Sequence, residues 1–454
     1  MNKVPEMQEF IWKIMDALRD AMYSKELEYR AVRMVFIKYA IDNHIGATTV
    51  DDMQLYIRAQ KMFSMRDVKN GIDTIIPILR CIDNAFGLNE VLSNQINIDS
   101  YAHELFGFEN ASQRKNATQE DFKNVMRILS SKDLEEIDDE GTNGQILAET
   151  LMEVIFKYSY RNMFASEHTT KPQLSKLASR ILNVSKDDVF CDFSSGIGLS
   201  TLDIVKDKNT SIKNADINVS TLSVATMLYI MYGFKHLDMR CEDTLTKSVE
   251  EFSGNKVFVD GPWGVKLEKT SDNEYVDSFL AIVSKALNNY MDESSNAMSL
   301  VTLSANALFN SQKQSIEFRK ELINRGCIKA IIALPALKMG TSVNVNLLVM
   351  TRATNTKVLL INATENQQKS ARSGDPEGMV ALPDKLIDRI VNTLNNESEI
   401  EGFSRLVSID EIEQHEFNLV PSVYIRQKTE IDNTSLDDIN DRLVYLYKQL
   451  YGNN

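Results

Sequence analysis

The sequence predicts an α/β protein: a mostly parallel sheet with helices on both faces, preceded by an α-helical domain and followed by a helical tail. Three observations carry that prediction. Short β-rich runs recur between residues 166 and 365 with helical segments between several of them, an alternation that builds a parallel sheet. Two of these runs end in an acid followed by small residues, Val189–Thr201 (VFCDFSSGIGLST) and Val257–Gly264 (VFVDGPWG). Residues 1–165 instead carry apolar positions at mixed spacings of three and four, as amphipathic helices do.

In the helical region the pattern covers Phe10–Asn43, Val68–Phe86, Phe122–Leu129 and Ile146–Tyr160, the last preceded by a turn signal at Gly141-Thr142-Asn143-Gly144. Strands are predicted at Val189–Asp192, Leu237–Cys241, Lys256–Asp260, Met298–Leu303, Ile328–Leu334, Asn346–Thr351 and Lys357–Asn362, with a further one ending at Asp216. Helices are predicted at Thr221–Met231, Tyr275–Tyr290 and Ser315–Arg325. Residues 367–386 are polar and contain Gly and Pro, which predicts a mobile loop. The tail resumes with helices at Lys385–Leu394, Arg405–His415 and Leu436–Tyr451. In the last, Leu443, Leu446 and Leu450 share a face that packs on its own domain or on a partner. The expected division is a helical domain over 1–165, a sheet domain over 166–365 and an extension with a docking helix over 366–454.

Composition narrows the function classes. No apolar run approaches the roughly 18 residues of a membrane span, and the first residues lack a signal-peptide pattern, so a cytoplasmic protein is expected. Cys81, Cys191, Cys241 and Cys327 lie far apart without metal-ligand spacing, which predicts no metal site and no disulfide framework. The net charge of −14 is unlike a protein that grips DNA alone, so a DNA substrate would call for a partner.

Two motifs carry chemistry. Gly196 and Gly198 permit a sharp turn and close backbone approach after Asp192, but Thr201 stands where a dinucleotide fingerprint needs its third glycine. An acid beside such a turn disfavours a pyrophosphate and tolerates the cationic end of S-adenosylmethionine. Asp216 follows the turn at the interval expected of a ribose-binding acid. Asp243, or Glu242 beside it, can accept from the cofactor's adenine amine. Asp260-Gly261-Pro262-Trp263 is the catalytic candidate: a carboxylate and a main-chain oxygen hold the hydrogens of an exocyclic amine, and Trp263 stacks on a base flipped from its duplex.

With these motifs in order, the chain resembles the modification (M) subunit of type I restriction–modification systems, in the adenine-N6 DNA methyltransferase family. Further blocks support the resemblance: Ile14–Asn43 with Phe36-Ile37-Lys38-Tyr39, Glu167–Leu177 (EHTTKPQLSKL), Ser304–Asn346, and Ser408–Tyr424 (SIDEIEQHEFNLVPSVY). The resemblance implies a Rossmann-like methyltransferase domain using S-adenosylmethionine, with Thr170 matching the threonine of a Tyr-Thr-Pro element over the cofactor. Cofactor contacts are then expected from Thr170, Asp192, Ser194, Gly196, Gly198, Asp216 and Asp243. The implied partners are DNA, a specificity subunit, a second M subunit and, beyond these, a restriction subunit.

The chain also departs from the family pattern. The usual Asp-Pro-x-Cys-Gly-Ser-Gly-Gly-Phe loop reads Asp192-Phe193-Ser194-Ser195-Gly196-Ile197-Gly198-Leu199-Ser200, with its third glycine and the following Phe both replaced, Asn-Pro-Pro-Phe/Tyr becomes Asp260-Gly261-Pro262-Trp263, and Lys171 replaces the proline after the threonine. These departures keep two alternatives open: a scaffold that has lost catalysis, or a methyltransferase acting on RNA or protein.

Overall fold

The computed structural model describes residues 3–21, 27–63, 73–93, 119–136, 143–161, 170–337, 343–364, 368–369, 380–425 and 443. At its centre is a nine-stranded sheet built from β1 (Val189–Asp192), β2 (Ser211–Asp216), β3 (Leu237–Cys241), β4 (Lys256–Val259), β5 (Met298–Ser304), β6 (Ile328–Ala333), β7 (Val345–Thr351), β8 (Lys357–Asn362) and β11 (Ser404–Ser408). Their order is β11-β8-β6-β7-β5-β4-β1-β2-β3. All neighbours run parallel except β7, antiparallel to β5 and β6, and β11, antiparallel to β8. The chain winds outward from β1 through β2 and β3, then returns to lay β4 on the other side of β1. Strand order therefore reverses between β1 and β4, where an open parallel sheet leaves a crevice for ligands.

The two faces of the sheet bury different residues because side chains alternate along a strand. Phe190, Phe258, Leu300, Ile332, Leu347 and Leu359 enter one apolar cluster. Cys191, Val257, Val301, Ile331, Leu348 and Leu360 enter the other.

Ahead of the sheet lie α1 (Lys3–Ala21), α2 (Leu27–Asp42), α3 (Val50–Phe63), α4 (Ile75–Phe86), α5 (Gln119–Ser130), α6 (Asn143–Arg161) and α7 (Pro172–Leu182). Between and after the strands come α8 (Leu199–Val205), α9 (Val219–Tyr232), α10 (Ser278–Lys285), α11 (Ala305–Phe309), α12 (Lys313–Asn324), α13 (Asp384–Asn396), α14 (Ile409–Gln414) and α15 (Pro421–Tyr424). Helix α9 explains how the first helices join the sheet. Its residues from Thr221 to Met231 are all buried, because it lies between β2 and β3 on one side and α2 and α6 on the other. Arg33 of α2 reaches across and donates to the Ser220 hydroxyl at 2.5 Å. One continuous apolar cluster accordingly runs from Met7 through α9 to Phe403.

Several expectations are refined. Helix α3 and strand β11 were not expected: Arg405–Ser408 belongs to β11, and the acidic helix starts only at Ile409. Within 367–386, Gln368–Lys369 (β9) pairs antiparallel with Val380–Ala381 (β10), and α13 begins at Asp384. The Tyr275–Tyr290 helix starts at Ser278, capped by Asp277, and its last turn, Ala286–Tyr290, is a π-helix. Helix α6 starts within the expected turn, at Asn143. The Leu436–Tyr451 face lies outside the described residues apart from Leu443, which is 60% exposed. Among the described residues no helix is long and apolar enough to cross a membrane, and no set of side chains forms a metal site.

Candidate active site

The glycine turn is held from beneath by a polar network. Asp192, the last residue of β1, is buried; one oxygen accepts from the Ser194 N–H at 3.0 Å and the other from the Thr201 hydroxyl at 3.5 Å. Asn214 of β2 donates to the Thr201 hydroxyl at 2.9 Å and to the Tyr229 hydroxyl at 2.7 Å, and Tyr229 donates to the Gly198 carbonyl at 3.2 Å. Gly198 itself has φ +71°, and a Cβ there would lie 2.1 Å from the Tyr229 hydroxyl oxygen, so the position requires glycine. Thr201 thus supplies a hydrogen-bonding hub where the fingerprint would have a third glycine.

Asp216 ends β2 and closes on the same turn. Its Oδ2 accepts from the Gly196 N–H at 2.8 Å, and its Oδ1 accepts from the Asn218 N–H at 2.8 Å and the Thr221 hydroxyl at 3.3 Å. Each carboxylate oxygen has two lone pairs, so acceptor capacity remains for a ribose hydroxyl. Ile217 beside it is 70% exposed and presents an apolar surface at the rim. Beyond β3, Asp243 turns back on its own loop, accepting from the Thr246 N–H and hydroxyl. Glu242 is exposed, and its N–H donates to the Asp216 carbonyl at 3.2 Å. Glu242 and Asp243 therefore both border the Asp216 end of the crevice, with Asp243 already committed to its turn.

The tetrad follows β4 directly, since the strand ends at Val259. Asp260 Oδ1 accepts from the Thr302 hydroxyl of β5 at 2.6 Å, and Oδ2 accepts from the Thr170 hydroxyl at 2.9 Å. Neither threonine is near Asp260 in sequence, and Thr302 was not among the expected site residues. At Gly261 a Cβ would lie 2.8 Å from Ile282 Cδ1 of α10, the free end of that side chain. Trp263 is partly buried, packs against both apolar clusters, and meets the Phe279 ring at 5.9 Å and 60°. Phe193, at the other departure from the family pattern, is fully buried with its ring 4.4 Å from that of Tyr290.

The structure therefore brings Asp192, Ser194, Gly196, Gly198 and Asp216 together at the ends of β1 and β2. It places Asp260, Gly261, Pro262 and Trp263 across the reversal point at the end of β4, and it brings Thr170 to the tetrad. Electrostatics tie the two halves. Burial pushes the Asp192 carboxyl up to about 8, and the Asp216 and Asp260 charges push it the same way. The Asp216 and Asp260 charges at the strand ends suit a cationic ligand group.

Comparison with known proteins agrees with this geometry. The chain is 33% identical over 141 residues to the type I restriction enzyme MjaVII methylase subunit of Methanocaldococcus jannaschii, covering 29% of this chain and 24% of that one. It is 21% identical over 314 residues to the MjaVIII methylase subunit of the same organism, covering 62% and 53%. The chain thus spans about half the length, or less, of these curated relatives. Among solved structures, the type I restriction-modification methyltransferase subunit from Streptococcus thermophilus superposes with a TM-score of 0.67 at 19% identity, covering 93% of this chain and 100% of that one, which shows a shared fold. The sequence model described as N-6 DNA Methylase matches residues 152–433, more than half of the chain and all of the site just described from Thr170 to Thr302, and the chain therefore belongs to the N-6 DNA methylase family.

Proposed function

We propose that this chain is the modification subunit of a type I restriction–modification system and transfers a methyl group from S-adenosylmethionine to N6 of adenine in DNA. The observation that carries this reading is the Asp260 carboxylate, fixed by two threonine hydroxyls across the strand-order reversal from the glycine turn.

The residues present fit that cofactor. Gly196 and Gly198 let the backbone approach it, Asp216 accepts from its ribose, Ile217 offers an apolar face to its adenine, and Glu242 or Asp243 receives the adenine amine. Thr170, Asp192 and Ser194 complete the contacts, and the buried Ser195 hydroxyl of the same turn has no hydrogen-bond partner among the described residues. The cofactor supplies an electrophilic methyl group on a sulfonium.

The chain's own residues prepare the nucleophile. The lone pair of an exocyclic amine is conjugated with its ring. Asp260 and the Gly261 carbonyl accept the two amine hydrogens, which turns the lone pair toward the crevice. Trp263, braced by Phe279, stacks on the flipped base. As N6 gains the methyl it sheds one proton, for which Asp260 is the adjacent acceptor. Rigidity here comes from Thr302 and Thr170 instead of a second proline in the tetrad.

With a net charge of −14, sequence reading and most of the grip on DNA are delegated to a specificity subunit, with a second M subunit completing the assembly. A DNA substrate also places the protein in the cytoplasm. The test is to express the chain with and without its co-encoded specificity subunit in a host lacking adenine methylation, and to measure N6-methyladenine by nucleoside mass spectrometry. Appearance of the modified base only with the partner is expected. Failure to bind S-adenosylhomocysteine at millimolar concentration favours a non-catalytic scaffold, and label in RNA or protein but not DNA favours a different substrate.

A further inference from the structure

We infer that Lys171 is a positioning residue that holds the exit of β6, residues 334–337, as a wall of the target-base pocket, clipping it to the tetrad loop through its neighbour Thr170. The inference rests on the proposed methyl transfer at Asp260. Its geometry is a pair of adjacent side chains with divergent partners. Thr170 donates to Asp260 Oδ2 at 2.9 Å, and Lys171 Nζ donates to the Ala336 carbonyl at 2.8 Å, across 165 residues of chain.

Both ends of the clip are anchored. Lys171 caps α7, its carbonyl accepting from the Leu174 N–H at 2.9 Å, and Leu174, Leu177 and Ala178 of that helix are fully buried. On the other side, the Leu334 N–H donates to the Val345 carbonyl at 2.8 Å and the Val345 N–H to the Pro335 carbonyl at 3.3 Å, closing β6 on β7. Strand β6 runs parallel to β4 and β5, since β7 is antiparallel to both β5 and β6, so its exit loop emerges on the same edge as Asp260.

A stabilising role does not account for an ammonium here. Lys171 is 8% exposed and its acceptor is a neutral carbonyl. Withdrawing an ammonium from water carries a desolvation cost. Burial lowers its pKa accordingly. An apolar side chain, or the proline of the related element, would avoid that cost but would remove the tie between the exit of β6 and the tetrad loop. What the lysine adds is the reach of a long chain ending in a donor, beside a residue that already touches Asp260.

The test uses the full chain. In Lys171→Met, hydrogen exchange at the Leu334 and Val345 amides is expected to speed up about tenfold, while the Gly196 amide, bonded to Asp216, is unchanged. Lys171→Arg restores protection. With the specificity subunit and unmethylated plasmid DNA, Lys171→Met is expected to raise the KM for DNA about fivefold and leave the KM for S-adenosylmethionine within about twofold. Unchanged exchange at Leu334 and Val345 overturns the inference, and so does a parallel rise of both KM values, which marks general loosening. Should Lys171→Met fold poorly, Lys171→Gln, neutral but still a donor, must keep more protection than Lys171→Ala or the inference fails. A wild-type protein that methylates nothing removes the proposed function, and the exchange comparison still judges the clip.

Discussion

The Gly196 N–H donates to the Asp216 carboxylate at 2.8 Å, joining the turn after β1 to the acid at the end of β2. One carboxylate therefore shapes the glycine turn and, in the proposed function, accepts from the cofactor's ribose. Asp216→Ala is expected to weaken S-adenosylhomocysteine binding about tenfold or more, since a hydrogen bond to a charged group contributes about 1.5–3 kcal/mol. Methyl transfer at saturating cofactor should largely survive. Titration calorimetry paired with a rate at high cofactor separates the two effects, and unchanged affinity would remove Asp216 from the site.

Gly198→Ala is expected to destabilise the protein by about 1–3 kcal/mol or more, because its Cβ would sit 2.1 Å from the Tyr229 oxygen at a φ of +71°. Tyr229→Phe should not rescue it, since the ring carbon Cζ remains 2.7 Å from the added atom. Thermal melts of the single and double variants check both statements.

Asp192 makes stability depend on pH. Burial, aided by the Asp216 and Asp260 charges, raises its carboxyl from 3.8 to about 8. The folded protein thus holds this proton more tightly than the unfolded chain. The resulting stability is full below the unfolded value and is lost as pH rises through the folded one. Asp192→Asn mimics the protonated acid. Its melting temperature should match the wild type near pH 4, exceed it increasingly as pH rises towards about 8, and keep a constant lead above that. A gap that stays flat across that range contradicts the assignment.

Thr302 acts through Asp260. Thr302→Val keeps the shape but removes the hydroxyl 2.6 Å from Oδ1. The expected result is a fall in kcat of about tenfold or more, with cofactor affinity unchanged. Steady-state kinetics with a calorimetric control reads this directly, and equal loss of both quantities would point to a folding defect.

Much of the fold was legible because strands buried on both faces read as short apolar runs. β1, β3 and β8 match their expected limits, and β4, β5, β6 and β7 each differ by a residue at one end. β2 (SIKNAD) was placed only by its final acid, since Lys213 and Asn214 interrupt its apolar character. β11 was hidden because a five-residue edge strand followed at once by acids looks like a helix start, and it exists by pairing with β8. The site motifs were visible as local strings, whereas their supports were not. Thr302 lies 42 residues from Asp260 and Lys171 lies 165 from Ala336, so no spacing rule joins them. The departures at Phe193 and Gly261 pointed to weakened function. In the fold each has a specific neighbour, Tyr290 and Ile282, on a helix that the motif does not contain.

The central claim, that Asp260 receives the amine hydrogens of adenine during methyl transfer, is tested most directly by Asp260→Ala in complex with the specificity subunit. N6-methyladenine formation on unmethylated DNA should fall by about a hundredfold or more, while S-adenosylhomocysteine affinity stays within about threefold of wild type. Methylation at the wild-type rate by this variant would contradict the account.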